Sequence, residues 1–183
     1  MRIIAGKWRG RPLRAPKGFT VRPTSDRVRE AIFDILGDRV AGAATLDLFA
    51  GSGALGLEAL SRGAPSAVFV ESDPGAFGIL RGNIESLGAQ GADPLHLDYR
   101  QALRRLRARG MRFDLVFLDP PYGKGMAAES AAGLGRAGLL ESGATVVVEE
   151  AARTPDAVFP EGWEAVADRR YGDTRVMIFD VSP

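Results

Sequence analysis

Short, near-continuous apolar runs recur along this chain, and segments with helical periodicity fill the gaps between them. The clearest runs are 44–50, 67–71, 113–118 and 144–149. Runs of this length without polar alternation are what strands buried on both faces look like. Between them, 54–62 has a helical pattern that stops at Gly63. Asp73-Pro74 pairs an N-cap with proline at the first helical position, and Phe77, Leu80, Ile84 and Leu87 then share one face until Gly88. A weaker strand at 94–97 leads into a basic helix at 100–109, and 126–140 reads as a Gly-rich helix. Upstream, Thr24, Ser25 and Asp26 offer caps for a helix whose stripe is Val28, Ala31, Ile32, Ile35 and Leu36. Strands at 164–170 and 174–181 close the chain around a Gly172-Asp173 turn. Strand–helix alternation predicts an α/β fold: a mostly parallel seven-stranded sheet, helices on both faces and an antiparallel C-terminal hairpin. Such sheets bind ligands beyond the carboxyl ends of their strands.

At 183 residues the chain is the size of one domain, and its 45% apolar and 26% charged residues suit a globular protein. No apolar run approaches the length of a membrane span, and Met1–Trp8 lacks the apolar core of a secretory signal. With no cysteine, disulfides, thiolate zinc sites and cysteine nucleophiles are excluded, which fits a reducing, cytoplasmic setting. The single histidine, His96, argues against His-based metal sites and against a Ser-His-Asp hydrolase. The net charge of +1 conceals an asymmetry: residues 1–30 hold nine Lys/Arg against Asp26 and Glu30, whereas the rest holds 15 basic and 21 acidic residues. A basic arm (1–22, read as a small hairpin or extended piece) on an acidic body (23–183) predicts a polyanionic partner. Of the 24 basic residues 21 are arginine, whose forks bind phosphate and stack on bases.

Two segments carry chemistry. Leu46-Asp47-Leu48-Phe49-Ala50-Gly51-Ser52-Gly53 runs an apolar strand into a Gly-x-Gly turn that opens a helix, where glycine admits close backbone approach and N–H dipoles meet a ligand. The second strand ends in Glu71, a carboxylate placed to accept ribose hydroxyls. A dinucleotide-dependent dehydrogenase would share these features, but Asp47 inside the strand suits the ammonium of an amino-acid cofactor. Asp98, after the third strand, suits an adenine amine or a helix N-cap. The second segment, Asp119-Pro120-Pro121-Tyr122, follows an apolar strand. The two prolines fix φ and donate no hydrogen bond, so their carbonyls are free to accept from a ligand. Asp119 and the Pro120 carbonyl can accept both N–H groups of a planar exocyclic amine, turning its lone pair toward a sulfonium methyl, while Tyr122 stacks on the base. Alignment is the main lever in such a reaction.

These segments, with Met1-Arg-Ile-Ile-Ala-Gly-Lys-Trp-Arg-Gly-Arg-Pro-Leu and Arg22-Pro-Thr-Ser-Asp-Arg-Val-Arg-Glu-Ala-Ile-Phe, resemble class I S-adenosylmethionine-dependent methyltransferases, and most closely the bacterial RsmD family, which methylates a guanine N2 of 16S ribosomal RNA. The match is least distinct in the C-terminal third. The resemblance implies a Rossmann-like fold and S-adenosylmethionine held by Thr24, Arg27, Asp47, Phe49, Ala50, Gly51, Ser52, Gly53, Glu71, Ser72, Asp98 and Tyr99. Thr24–Arg29 would close over the cofactor's carboxylate, and Asp119 to Tyr122 would hold the guanine. It further implies a metal-free monomer acting on a partly or fully assembled small ribosomal subunit.

A guanine inside a helix must be flipped or single-stranded to react, at a cost of a few kcal/mol. Phosphate contacts from Arg2, Lys7, Arg9, Arg11, Arg14 and Arg22, with Trp8 stacking, are the expected source of that energy. For the arginines of 100–109, RNA contact and plain solvation of the outer face stand as equal alternatives. An adenine N6 of DNA and a glutamine amide present the same planar amine and stand as alternatives, as does an RNA-binding domain on an inherited fold. The basic arm favours nucleic acid over glutamine.

Overall fold

The computed structural model describes residues 1–15, 23–121, 125–155 and 158–182, with the side chains of 23–25 set aside. Five helices and seven strands follow in chain order: α1 (Pro23–Leu36), β1 (Ala44–Asp47), α2 (Ala54–Ser61), β2 (Ser66–Glu71), α3 (Pro74–Leu87), β3 (Ala92–His96), α4 (Tyr99–Ala108), β4 (Phe113–Leu118), α5 (Met126–Ala137), β5 (Leu140–Ala151), β6 (Trp163–Tyr171) and β7 (Thr174–Val181). The strands form one sheet in the order β3-β2-β1-β4-β5-β7-β6. β1 to β5 pair in parallel, and β7 is antiparallel to both β5 and β6. This is the mostly parallel seven-stranded sheet with an antiparallel C-terminal hairpin that the alternation predicts.

Local chemistry explains the boundaries. Asp73 Oδ1 accepts from Ala76 N–H at 2.7 Å, Pro74 takes the first helical position, and Gly88 at φ +59° ends α3. The helix expected over 126–140 stops at Ala137, because Gly138 turns left-handed at φ +64° and frees Leu140 to open β5. β1 ends at Asp47 rather than Ala50, although Leu48 and Ala50 N–H still reach Phe117 and Val70 carbonyls at 3.1 and 2.8 Å.

Successive strand residues face opposite sides, so the sheet divides the core in two. Phe69, Leu115, Phe117 and Val147 pack with α1, α2, α3 and the N-terminal arm. Val68, Val70, Val116, Leu118, Val146 and Val148 pack with α4 and α5. Among the described residues, no helix is long and apolar enough to cross a membrane.

The arm is a hairpin with a 3-10 turn at Gly6–Trp8: Ile3 N–H donates to Arg11 O, Gly10 N–H to Ile3 O and Leu13 N–H to Met1 O. It does not stand free of the body. Ile3, Trp8 and Leu13 are buried in the first core layer, so the arm packs on the body through a shared apolar core. Trp8 is 8% exposed, and its backbone N–H donates to Ser61 Oγ at 3.0 Å. The indole therefore cannot stack on a nucleotide as expected, because burying its apolar area against α2 outweighs exposing it.

Candidate active site

Strand register brings the acidic residues together. Asp47 lies level with Phe69 of β2 and Phe117 of β4, so Glu71 and Asp119 each sit two residues beyond it on the flanking strands. By the two-residue period all three face α1–α3 at the carboxyl edge of the sheet.

Asp47 is 1% exposed; its Oδ2 accepts from Gly56 N–H at 3.1 Å, and its Oδ1 has no hydrogen-bond partner within normal geometry among the described residues. Burial, and then the charges of Asp119 and Glu71, push its carboxyl up to about 7. An unpaired buried acceptor is costly, and an ammonium group would satisfy it. Beside it, Gly51 and Gly53 hold φ +55° and +83°, and Gly53 caps α2 without a side-chain bond. A Cβ at Gly53 would meet Leu80 Cδ1 at 2.4 Å and one at Gly56 would meet Phe69 Cε1 at 2.3 Å, so both glycines serve the packing of this turn. Ser52 is buried, and its carbonyl accepts from Asn83 Nδ2 at 2.9 Å.

Glu71 Oε2 accepts from Gly51 N–H at 2.8 Å and Oε1 from Asp73 N–H at 2.7 Å, which fixes the carboxylate with lone pairs left over. Ser72 is exposed, with its carbonyl 3.1 Å from His96 Nε2, whose ring stacks on Phe77. Asp98 caps α4 through Arg100 N–H at 2.9 Å, leaving Oδ2 unengaged among the described residues. Phe49 and Tyr99 face each other at 5.2 Å next to the buried Ala50. Burial and the Glu129 carboxylate push the Tyr99 hydroxyl up to about 12.

Asp119 follows the last residue of β4, half-buried, and burial pushes its carboxyl up to about 7. Pro120 is buried and Pro121 exposed. Tyr122 and Arg22 lie outside the described residues, and so does the side chain of Thr24. Arg27 is exposed on α1. Arg2, Lys7, Arg9, Arg11 and Arg14 are exposed on the arm, and Arg11 Nη2 donates to Ser86 O at 2.7 Å. On α4, Arg100 is bidentate to Glu129 and Arg109 pairs with Asp93, whereas Arg104, Arg105 and Arg107 are exposed.

Four residues that the sequence did not single out individually support this site. Asn83, the lone asparagine of the chain, is buried and binds Arg14 N–H, Arg14 O and Ser52 O, tying the arm to the glycine turn. Glu58 is fully buried and anchors the arm through Ile4 and Ala5 N–H. Arg29, one of the arm-region positive charges, is 4% exposed and is bound by Asp26 and the Arg2 carbonyl. Glu149 ends the apolar run of β5 at the same carboxyl edge, and its position after that run was the available signal.

The family described as Conserved hypothetical protein 95 matches residues 1–180. The chain belongs to that family. Ribosomal RNA small subunit methyltransferase D of Escherichia coli K12 is 36% identical over 179 residues, 98% of this chain and 89% of that protein. The protein of that name from Haemophilus influenzae is 35% identical, over 94% and 89% of the two chains. Among solved structures, the Escherichia coli protein yhhF is 36% identical, covers 100% and 98% of the two chains and superposes with TM-score 0.89. These relatives are named as methyltransferases, and this chain carries the acids, the glycine turn and Asp119-Pro120 at the carboxyl edge of its sheet.

Proposed function

We propose that the protein transfers a methyl group from S-adenosylmethionine to the N2 amine of a guanine in small-subunit (16S) ribosomal RNA. The observation that carries this is the register that sets Asp119, just past the end of β4, beside an Asp47 whose Oδ1 lacks a hydrogen-bond partner among the described residues. Asp47 would take the cofactor's ammonium, and the first-turn N–H groups of α2 its carboxylate. Glu71 would take the ribose, and Asp98, which precedes Tyr99 of the Phe49–Tyr99 ring pair, the adenine amine. Once bound, the cofactor supplies an electrophilic methyl on a cationic sulfur. Asp119 and the Pro120 carbonyl orient the amine so that its lone pair is in line with that methyl. The C–S bond breaks as the N–C bond forms, and the amine's surplus proton leaves to Asp119 or solvent. Pre-organised alignment of this kind is worth roughly 7–11 kcal/mol.

The exposed Arg2, Lys7, Arg9, Arg11 and Arg14 would meet RNA phosphates. The names of the relatives support ribosomal RNA over DNA. A cytoplasmic monomer acting on a partly assembled subunit fits this function. The test is tritium transfer from S-adenosylmethionine into ribosomal RNA from cells lacking the enzyme, followed by nucleoside analysis. Labelled N2-methylguanosine is expected. Asp119→Ala should abolish transfer while leaving cofactor affinity, by calorimetry, within a few-fold. Full activity in that variant, or label in another nucleoside, would overturn the proposal.

A further inference from the structure

The carboxyl edge of the sheet carries a fourth acid. Glu71, Asp47, Asp119 and Glu149 sit on or just after four consecutive strands, β2, β1, β4 and β5. Two residues before each of the outer three, Phe69, Phe117 and Val147 belong to the core layer beneath α1–α3, so all four acids share that face. Phe117 is level with Val147, which sets Asp119 level with Glu149. Parallel neighbours lie about 4.8 Å apart.

Three of these acids have work in the proposed function, and Glu149 has none. It is half-buried, and its oxygens accept no hydrogen bond among the described residues. The charged groups that act on it are Asp119 and Asp47, which oppose its ionised form, and Arg29 from α1, which favours it. Burial raises its carboxyl well above the usual carboxylate range. Asp47 Oδ1 and Arg29 Nε are buried without a hydrogen-bond partner among the described residues, although Arg29 Nε lies 3.7 Å from the Glu58 carboxylate. For the fold alone an acid here is a liability, because like charges and lost hydration both cost free energy. A ligand that donates hydrogen bonds along this edge would offset that cost.

We propose that Glu149 is a specificity-determining residue that accepts the N1–H of the target guanine, next to the N2 amine held by Asp119 and Pro120. This rests on the methyl-transfer function proposed above. Guanine presents N1–H and N2–H as adjacent donors on one edge, and two carboxylates on neighbouring strands match that pair. Adenine and cytosine present a ring-nitrogen acceptor where guanine has N1–H. Either would set a lone pair against the Glu149 carboxylate and leave it buried without a partner. The strand order then reads as a sequence of tasks across the crevice: ribose on β2, methionine on β1, reacting amine on β4 and base identity on β5.

The test compares wild type with Glu149→Ala and Glu149→Gln on small ribosomal subunits lacking the modification. Glu149→Ala should lower kcat/KM for the RNA about 10–100-fold, the worth of one hydrogen bond to a charged group, with S-adenosylmethionine affinity unchanged. Glu149→Gln, whose amide oxygen still accepts N1–H, should retain most of the activity. Once the wild-type enzyme has located the modified base, subunits reconstituted with 2-aminopurine there keep the amine and lose N1–H. Wild type should favour guanine over 2-aminopurine, and Glu149→Ala should lose the N1–H share of that preference. A purely structural Glu149 predicts variants of altered thermal stability with unchanged base preference. Full activity in Glu149→Ala, or undiminished discrimination by it, overturns the proposal while methyl transfer stands. A wild-type enzyme that labels no guanine overturns both.

Discussion

Glu58 holds the N-terminal arm, and Glu58→Ala should release it. The carboxylate is fully buried on α2, 54 residues from the first chain segment that it binds. It accepts from Ile4 N–H at 2.8 Å, Ala5 N–H at 3.0 Å and Arg62 Nε at 2.8 Å, with Arg29 Nε at 3.7 Å. Truncation leaves two part-buried amides and the Arg62 guanidinium without their acceptor and takes one of two nearby carboxylates from the buried Arg29. Breaking a buried charge pair from one side costs about 3–5 kcal/mol. For a chain of this size each kcal/mol moves Tm by about 2–4 °C, so a fall of about 6–20 °C is expected. Calorimetric or circular-dichroism melting reads the global loss. Hydrogen exchange at the Ile4 and Ala5 amides reads arm release separately, and both should exchange faster in the variant. Glu58→Gln should fall between, since its amide supplies one acceptor where two N–H donors need two. A Tm within about 2 °C of wild type, with both amides still protected, would refute the clamp. The consequence for function is placement: Arg2, Lys7, Arg9 and Arg11 are held against the body by this carboxylate and by Asn83.

Three further outcomes are expected. Asp47 and Asp119 titrate near 7 in the native protein against an ordinary value of 3.8, so between about pH 4 and 7 the folded state holds more protons than the unfolded one; stability measured by urea unfolding should decline as pH rises across that window and level off above it. An ammonium partner favours ionised Asp47, so S-adenosylmethionine binding below pH 7 should release a proton, seen by calorimetry in buffers of different ionisation enthalpy, and Asp47→Asn should lose that release along with much of the affinity. Replacing Arg9 and Arg11 with alanine should weaken RNA binding and reduce the slope of log affinity against log salt by about 0.7–0.9 for each phosphate left without its arginine, and an unchanged slope would remove them from the interface.

Part of this protein was legible in its sequence because short-range rules govern it. Apolar runs of strand length, Asp73-Pro74 at a helix start and Gly88 at its end depend on neighbours within a few residues; each run falls on a strand, with ends shifted by a few residues, and the helix starts and stops where its caps predict. Asp47, Glu71, Asp98 and Asp119 were identifiable for the same reason, since each sits at or just past the carboxyl end of a strand. Where tertiary packing competes with local pattern, the pattern alone misleads. The charge excess of residues 1–30 signals a cationic surface, but it does not say that Arg29 turns inward to Asp26 while Arg9 faces solvent, nor that Trp8 packs on α2. Periodicity carries no information on strand order either, and only the sheet brings Glu149 beside Asp119. Such pairings join residues dozens of positions apart, and what decides them is the burial of apolar surface and the pairing of buried charge, which belong to the assembled core.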